Sequence, residues 1–147
     1  MTTKIRFFQI ADYQALFTLW NSLPGFNKGL RSLDDSEAGI AKFLQRNPNT
    51  CFVAEVDGNI IGGILAGHDG RRGYIYHALV LPEFQGLGIG KLLTDSVCDA
   101  LKAEGITKAG MLVFASNEQG NAFWERQGWQ TRPDLVYRNK TLNEDNL

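Results

Sequence analysis

One passage limits the folds open to this chain more than any other: between Tyr74 and Glu104 a β-rich run passes directly into a strongly amphipathic helix. Residues Tyr74 to Leu81 are aromatic, β-branched and aliphatic, as a half-buried or buried strand requires, and Pro82 ends them. From Gly88 to Glu104 the apolar residues Ile89, Leu92, Leu93, Val97, Ala100 and Leu101 share one helical face, with Lys91, Asp95, Asp99 and Lys102 on the other. A strand feeding a one-faced helix points to a mixed α/β architecture.

The rest of the chain agrees with that class. Residues 4–10 read as a strand, and Asp12 is the expected N-cap of a helix carrying Leu16, Leu19 and Trp20. Leu23-Pro24-Gly25 breaks that helix, and a loop is expected to about Leu33. Asp34 with Glu37 resembles a capping box opening a helix through Ile40, Phe43 and Leu44, which Asn47-Pro48 stops. Residues 51–56 and 60–66 flank Asp57-Gly58-Asn59 as a hairpin, and His68–Gly73 is a second break. A strand over 109–114, a short helix over 117–127 and a final strand over 134–142 complete the pattern. With no repeat or linker, residues 1–147 are expected to form a single domain.

Gly86, Gly88 and Gly90 lie where the strand becomes the helix. Glycine permits close backbone approach, and the first amides of a helix have no intrahelical partner and carry the positive end of its dipole. Together they suit a phosphate or pyrophosphate. Spacing discriminates among ligands. A Walker loop would need Gly at 85 and Ser or Thr at 92, where Gln85 and Leu92 stand; a dinucleotide fingerprint would need Gly at 91 or 93, where Lys91 and Leu93 stand.

Gln85-x-x-Gly88-x-Gly90, approached through Val80-Leu81-Pro82-Glu83, resembles the pyrophosphate motif of the GNAT superfamily of acyl-CoA-dependent N-acetyltransferases. Asn117-x-x-Gly120-x-x-Phe123-Trp124-x-x-x-Gly128-Trp129 is similar to that family's second element, which packs beside the pantetheine arm. The resemblance implies an α/β (α+β) fold: a mixed, mostly antiparallel sheet of six to seven strands flanked by about four helices and splayed at the acetyl-CoA site. It implies acetyl-CoA as co-substrate and no metal. Backbone groups of Leu79, Val80 and Leu81 would meet the thioester and pantetheine. Gln85 and the amides of Gly86, Leu87, Gly88, Ile89, Gly90 and Lys91 would hold the pyrophosphate, and Asn117 and Trp124 would line the arm. Asn117 also suits an N-cap.

The proton carriers are less determined. Many family members place a Tyr where this chain has Trp124, and an indole cannot serve as a general acid at ordinary pH. Tyr137, on the expected last strand, is the substitute. For the base, alternation along the strand would put Tyr74 and Tyr76 on one face and His77 on the other. The tyrosine face would look toward the acceptor by family analogy, whereas histidine has the intrinsic chemistry for base work near neutrality. Glu83 reads as a solvated loop residue, and a base acting through water stays open. Tyr76, His77 and Tyr137 are therefore the candidate catalytic side chains.

Fifteen Lys and Arg against sixteen Asp and Glu give a net charge of −1, which offers no field to gather nucleic acid or an anionic membrane. No apolar run approaches the roughly 18 residues that span a bilayer, and the N-terminus lacks the marks of a secretory signal, so a cytoplasmic location is expected. Cys51 and Cys98 read as free core thiols. The resemblance implies an amine acceptor, a small molecule being favoured over a protein N-terminus or lysine because no extended peptide groove is legible. The acceptor would be selected by residues 23–33, the 69–73 turn and the C-terminal segment. Arg71 and Arg72 suit either a solvated turn or contact with the CoA 3′-phosphate or an acidic acceptor. The family is compatible with a homodimer. The competing functional class is an acetyl-CoA-binding sensor without turnover.

Overall fold

Strand β3 (Asn59–His68) is nearly all buried, and the other elements are laid around it. The computed structural model describes residues 2–147. In chain order the elements are β1 (Thr3–Phe7), α1 (Tyr13–Ser22), α2 (Glu37–Arg46), β2 (Phe52–Val56), β3, β4 (Gly73–Val80), α3 (Ile89–Ala103), β5 (Ala109–Met111) and α4 (Glu118–Arg126). The sheet order is β1-β2-β3-β4-β5. The first three pairings are antiparallel and β4–β5 is parallel, because α3 carries the chain back across the sheet. Asp57 and Gly58 both have positive φ (51° and 82°), the signature of the two-residue turn whose twist matches a hairpin.

Alternation along the strands sends side chains into two cores. On one face Phe52, Ala54, Ile64 and Ala66 meet Ile89, Leu93, Val97 and Leu101 of α3. On the other, Val53, Leu65 and Leu79 meet Leu16, Leu19 and Trp20 of α1 and Ile40 of α2. Among the described residues no helix is long and apolar enough to cross a membrane.

Several local expectations are corrected. The sheet has five strands, not six or seven: β5 is only Ala109–Met111, and residues 134–142 form no strand. Leu135, Val136 and Tyr137 are three consecutive exposed apolar residues followed by Arg138, Asn139 and Lys140. Such a run has no period-two face to bury, so little offsets the entropy of ordering it. Asp12 stands at the N-cap position of α1, as expected, but its side chain does not bond the helix amides; its carboxylate takes the Arg6 guanidinium at 2.8 Å and the Gln9 N–H at 2.9 Å. The cap of α2 is Ser36, whose hydroxyl accepts from the Gly39 N–H at 3.0 Å, instead of Asp34. The loop before it holds a 3-10 turn over Phe26–Gly29.

Candidate active site

Strand β4 has a neighbour on both sides for only part of its length. Gly73, Tyr74 and Ile75 pair with Ala109, Gly110 and Met111 of β5, and beyond Ile75 the two strands part. On the β3 side the register jumps: Leu65 faces Tyr76 and Gly63 faces Leu79, so His77 and Ala78 together oppose Ile64. This is a β-bulge, and His77 takes up the extra residue with φ 49°, in the left-handed region.

The bulge overturns the expected alternation. Tyr76 packs edge-on against Phe43 of α2, 5.8 Å between centroids. The His77 ring lies 4.8 Å from that of Trp20 in α1 and 6.0 Å from that of Phe26. His77 therefore shares the α1/α2 face with Tyr74 and Tyr76 instead of taking the opposite one. Its Nε2 lies 2.6 Å from Oδ1 of Asp35, while Nδ1 has no hydrogen-bond partner among the described residues. Asp35 is a residue that sequence reading missed. It sits beside Asp34, which looked the better cap, and its partner is 42 positions away. Trp20 is fully buried and its indole N–H finds no acceptor.

At the far end of β4 the chemistry passes to the backbone. The Leu81 N–H donates to the Ile61 carbonyl at 2.8 Å, so it is not free for a ligand, and by alternation Leu79 also faces β3. Of the three expected donors, only Val80 then faces the open edge, where its carbonyl accepts from Gln85 Nε2 at 2.9 Å. The N–H groups of residues 86–91 donate to no protein acceptor among the described residues. Gly86 (φ 79°) and Gly88 (φ 83°) are left-handed, and a Cβ on either would meet open space. Gly90 is needed for another reason: a Cβ there would come within 3.1 Å of the Phe123 ring. Leu87 is exposed, Ile89 is buried in the α3 core and Lys91 pairs with Asp95 at 2.6 Å. A row of free amides opening a helix of 15 residues, with no side chain in the way, fits a pyrophosphate.

The remaining candidates fall around this cleft unevenly. Asn117 caps α4, its side-chain oxygen accepting from the Gly120 N–H at 2.9 Å. Trp124 packs edge-on against Phe123 and Trp129 and against the α3 core. Tyr137 is exposed in an irregular segment, not on a strand, yet its phenol is near enough to Tyr76 to influence it. Burial foremost, then the neighbouring Tyr74 and Tyr137, pushes the Tyr76 phenol above its ordinary range. Glu83 is exposed, as expected. Arg71 and Arg72 cap a turn around the Asp69 carboxylate at the opposite end of β4. At roughly 3.3 Å per residue that turn is some 20 Å from the glycine loop, too far for the 3′-phosphate of a molecule seated there. A cavity of about 530 Å³ bordered by Tyr13, Asn27, Arg31 and Glu37 reaches Asp35 but none of residues 76–91. No group of side chains suited to a metal occurs among the described residues.

The family model described as the acetyltransferase (GNAT) family matches residues 13–129. The chain belongs to this family. An acetyltransferase of Pectobacterium atrosepticum is 34% identical over 97% of both chains, and one of Yersinia enterocolitica is 32% identical over 97% of both. The crystal structure of the PaiA N-acetyltransferase of Thermoplasma acidophilum, solved in complex with coenzyme A, shares the fold. It has a TM-score of 0.74 at 18% identity, over 90% of this chain and 92% of that one. Ard1 of Thermoplasma volcanium superposes with a TM-score of 0.74 at 19% identity, over 87% of this chain and 82% of that one. As a GNAT member the protein is an acyl-CoA-dependent N-acetyltransferase, with acetyl-CoA as its co-substrate.

Proposed function

We propose that the protein transfers the acetyl group of acetyl-CoA to a primary amine by direct attack in a ternary complex, with His77 as the general base. The observation that carries this reading is the bulge: it turns an imidazole with an unpartnered Nδ1 toward the α1/α2 face, where β4 has parted from β5. The free amides of residues 86–91 support pyrophosphate binding just beyond the C-terminal end of the same strand. Acetyl-CoA supplies the thioester carbonyl.

An amine arriving as the ammonium gives one proton to His77 Nδ1 and attacks the carbonyl carbon. The C–N bond forms, the C–S bond breaks, and the second nitrogen proton ends on the departing thiolate. The products are the amide, the thiol and a proton released from His77. In this reading the Val80 N–H, at the open edge, donates to the oxyanion. Tyr76, its phenol held above the ordinary range, relays that second proton: it gives its own to the thiolate and recovers the one the nitrogen loses. Holding both substrates together supplies much of the acceleration. A small-molecule amine is the acceptor class this reading favours.

Calorimetric titration with acetyl-CoA, against ATP and NAD, tests the loop. CoA-thiol release with spermidine, lysine, glucosamine and an alanine-initiated peptide tests the transfer. Selective acetyl-CoA binding with amine-dependent release is expected. Binding without release across the panel would sink the catalytic reading, and preference for ATP or NAD would sink the loop assignment.

A further inference from the structure

Asp35 is only 8% exposed, and nothing above makes use of it. A buried carboxylate needs donors, and this one has a fixed set. Its Oδ2 accepts the Arg31 backbone N–H at 2.6 Å, and its Oδ1 faces His77 Nε2 at 2.6 Å. It is not there to cap α2, because Ser36 does that. The segment around it is held from three sides. The Tyr13 hydroxyl donates to the Asp35 carbonyl at 2.7 Å, the Ser36 hydroxyl donates to the Leu33 carbonyl at 2.8 Å, and the Asn146 side chain accepts from the Leu33 and Asp34 N–H groups. Such a frame suits a group whose task is to hold another in one orientation.

We propose that Asp35 is a positioning residue of the acetyl transfer: held by the Arg31 N–H, it fixes His77 in the Nε2–H form and so leaves Nδ1 to take the acceptor's proton. This rests on His77 being the base. The rings of Trp20 and Phe26 confine the imidazole on its flanks. The titratable and charged groups on the surrounding elements are few. The segment before α2 brings Asp35 itself and Arg31, whose guanidinium is turned to the Leu30 carbonyl. α1 brings Tyr13, and α2 brings Glu37, close enough to join Asp35 in raising the Tyr13 phenol. β4 brings Tyr76.

The geometry makes Asp35→Asn a sharp test. The Arg31 N–H can only donate, so it would hold the introduced amide's oxygen and turn its NH2 toward His77. Nε2 must then accept, and the imidazole proton moves to Nδ1, with shape and hydrogen-bond count retained. In ¹⁵N spectra of neutral histidine, His77 is expected to switch from the Nε2–H to the Nδ1–H form. His68 is an internal control, because its Nδ1 accepts from the Gly70 N–H at 2.9 Å and its Nε2 faces Glu104 in both proteins. With the most active of spermidine, lysine, glucosamine and the alanine-initiated peptide, kcat should fall about 100- to 10,000-fold at neutral pH. Acetyl-CoA affinity should be unchanged, and the variant's rate should climb about tenfold per pH unit where the native rate has levelled off.

A kcat within about threefold of native, with an unaltered pH profile, would overturn the proposal. So would a native His77 carrying its proton on Nδ1, a measurement that needs no variant. His77→Gln separates the two readings. If it keeps full activity, the base assignment fails. If it loses activity while Asp35→Asn does not, only the role of Asp35 falls.

Discussion

The two ends of the site, one at His77 and one beginning three residues further along β4 at Val80, are built on opposite principles. At the Val80–Lys91 end the chain offers backbone: free amides, two left-handed glycines and the start of α3, all within a dozen residues of sequence. At the His77 end it offers side chains, drawn together from α1, the segment before α2, and β4 itself. A site made of backbone is local and leaves a trace in residue spacing. A site made of side chains is assembled by the fold, and here a single left-handed residue assembles it. The difference predicts a clean division of labour, in which one end governs affinity and the other governs rate.

The strongest attempt to break that division is His77→Gln, expected to lower kcat by about two to four orders of magnitude while acetyl-CoA affinity measured by calorimetry stays native. Its mirror image is Gly88→Glu. A carboxylate in the row of free amides, on a residue at φ 83°, should weaken acetyl-CoA binding by about two orders of magnitude or more, near 3 kcal/mol, in a protein that circular dichroism shows to be folded. If either variant changed both quantities alike, the two ends would not be separate.

Smaller effects sharpen the contrast through the supports of each end. The Arg6 guanidinium holds the Asp12 carboxyl below the usual carboxylate range, and Asp12 closes the 3-10 turn leading into the helix that carries Trp20. Because the folded pKa is lowered, that stabilisation is present above about pH 4 and is lost as pH falls further. Asp12→Asn should therefore cost about 1–3 kcal/mol in chemical denaturation at pH 7 and flatten the acid limb. Asn117→Ala removes the cap of α4, the helix whose Phe123 abuts Gly90, and a loss of about 1 kcal/mol of stability is expected in chemical denaturation. Least of all, alkylation at pH 8 should leave Cys51 unmodified in the native protein, since burial pushes its thiol up to about 12.

Much of the fold was legible where hydrophobic period and turn chemistry agreed. The face of α3 was readable from Ile89 to Leu101, and the Asp57-Gly58 turn from its two residues alone. The segment after α4 was not, because Leu135-Val136-Tyr137 has strand-forming residues without a face to bury. Gln85 and the three glycines marked the loop, although only the packing of Phe123 explains Gly90. His77 was visible as a residue type, but its direction was misread, since alternation assumes an unbroken ladder and the bulge breaks it. Asp35 left no local mark at all. In Asp34-Asp35-Ser36 three residues could each cap a helix, and only tertiary packing assigns them to the chain terminus, the imidazole and α2 respectively.

The contact between Trp20 and His77 also gives the molecule an optical reporter. The His77 ring lies 4.8 Å from the Trp20 indole, so a change in what surrounds one ring alters the polarity sensed by the other. The other two tryptophans, Trp124 and Trp129, pack edge-on against each other on the opposite face of the sheet, away from His77. Native fluorescence therefore reports on the surroundings of His77 without any label, and acceptor binding beside that ring should be visible in it.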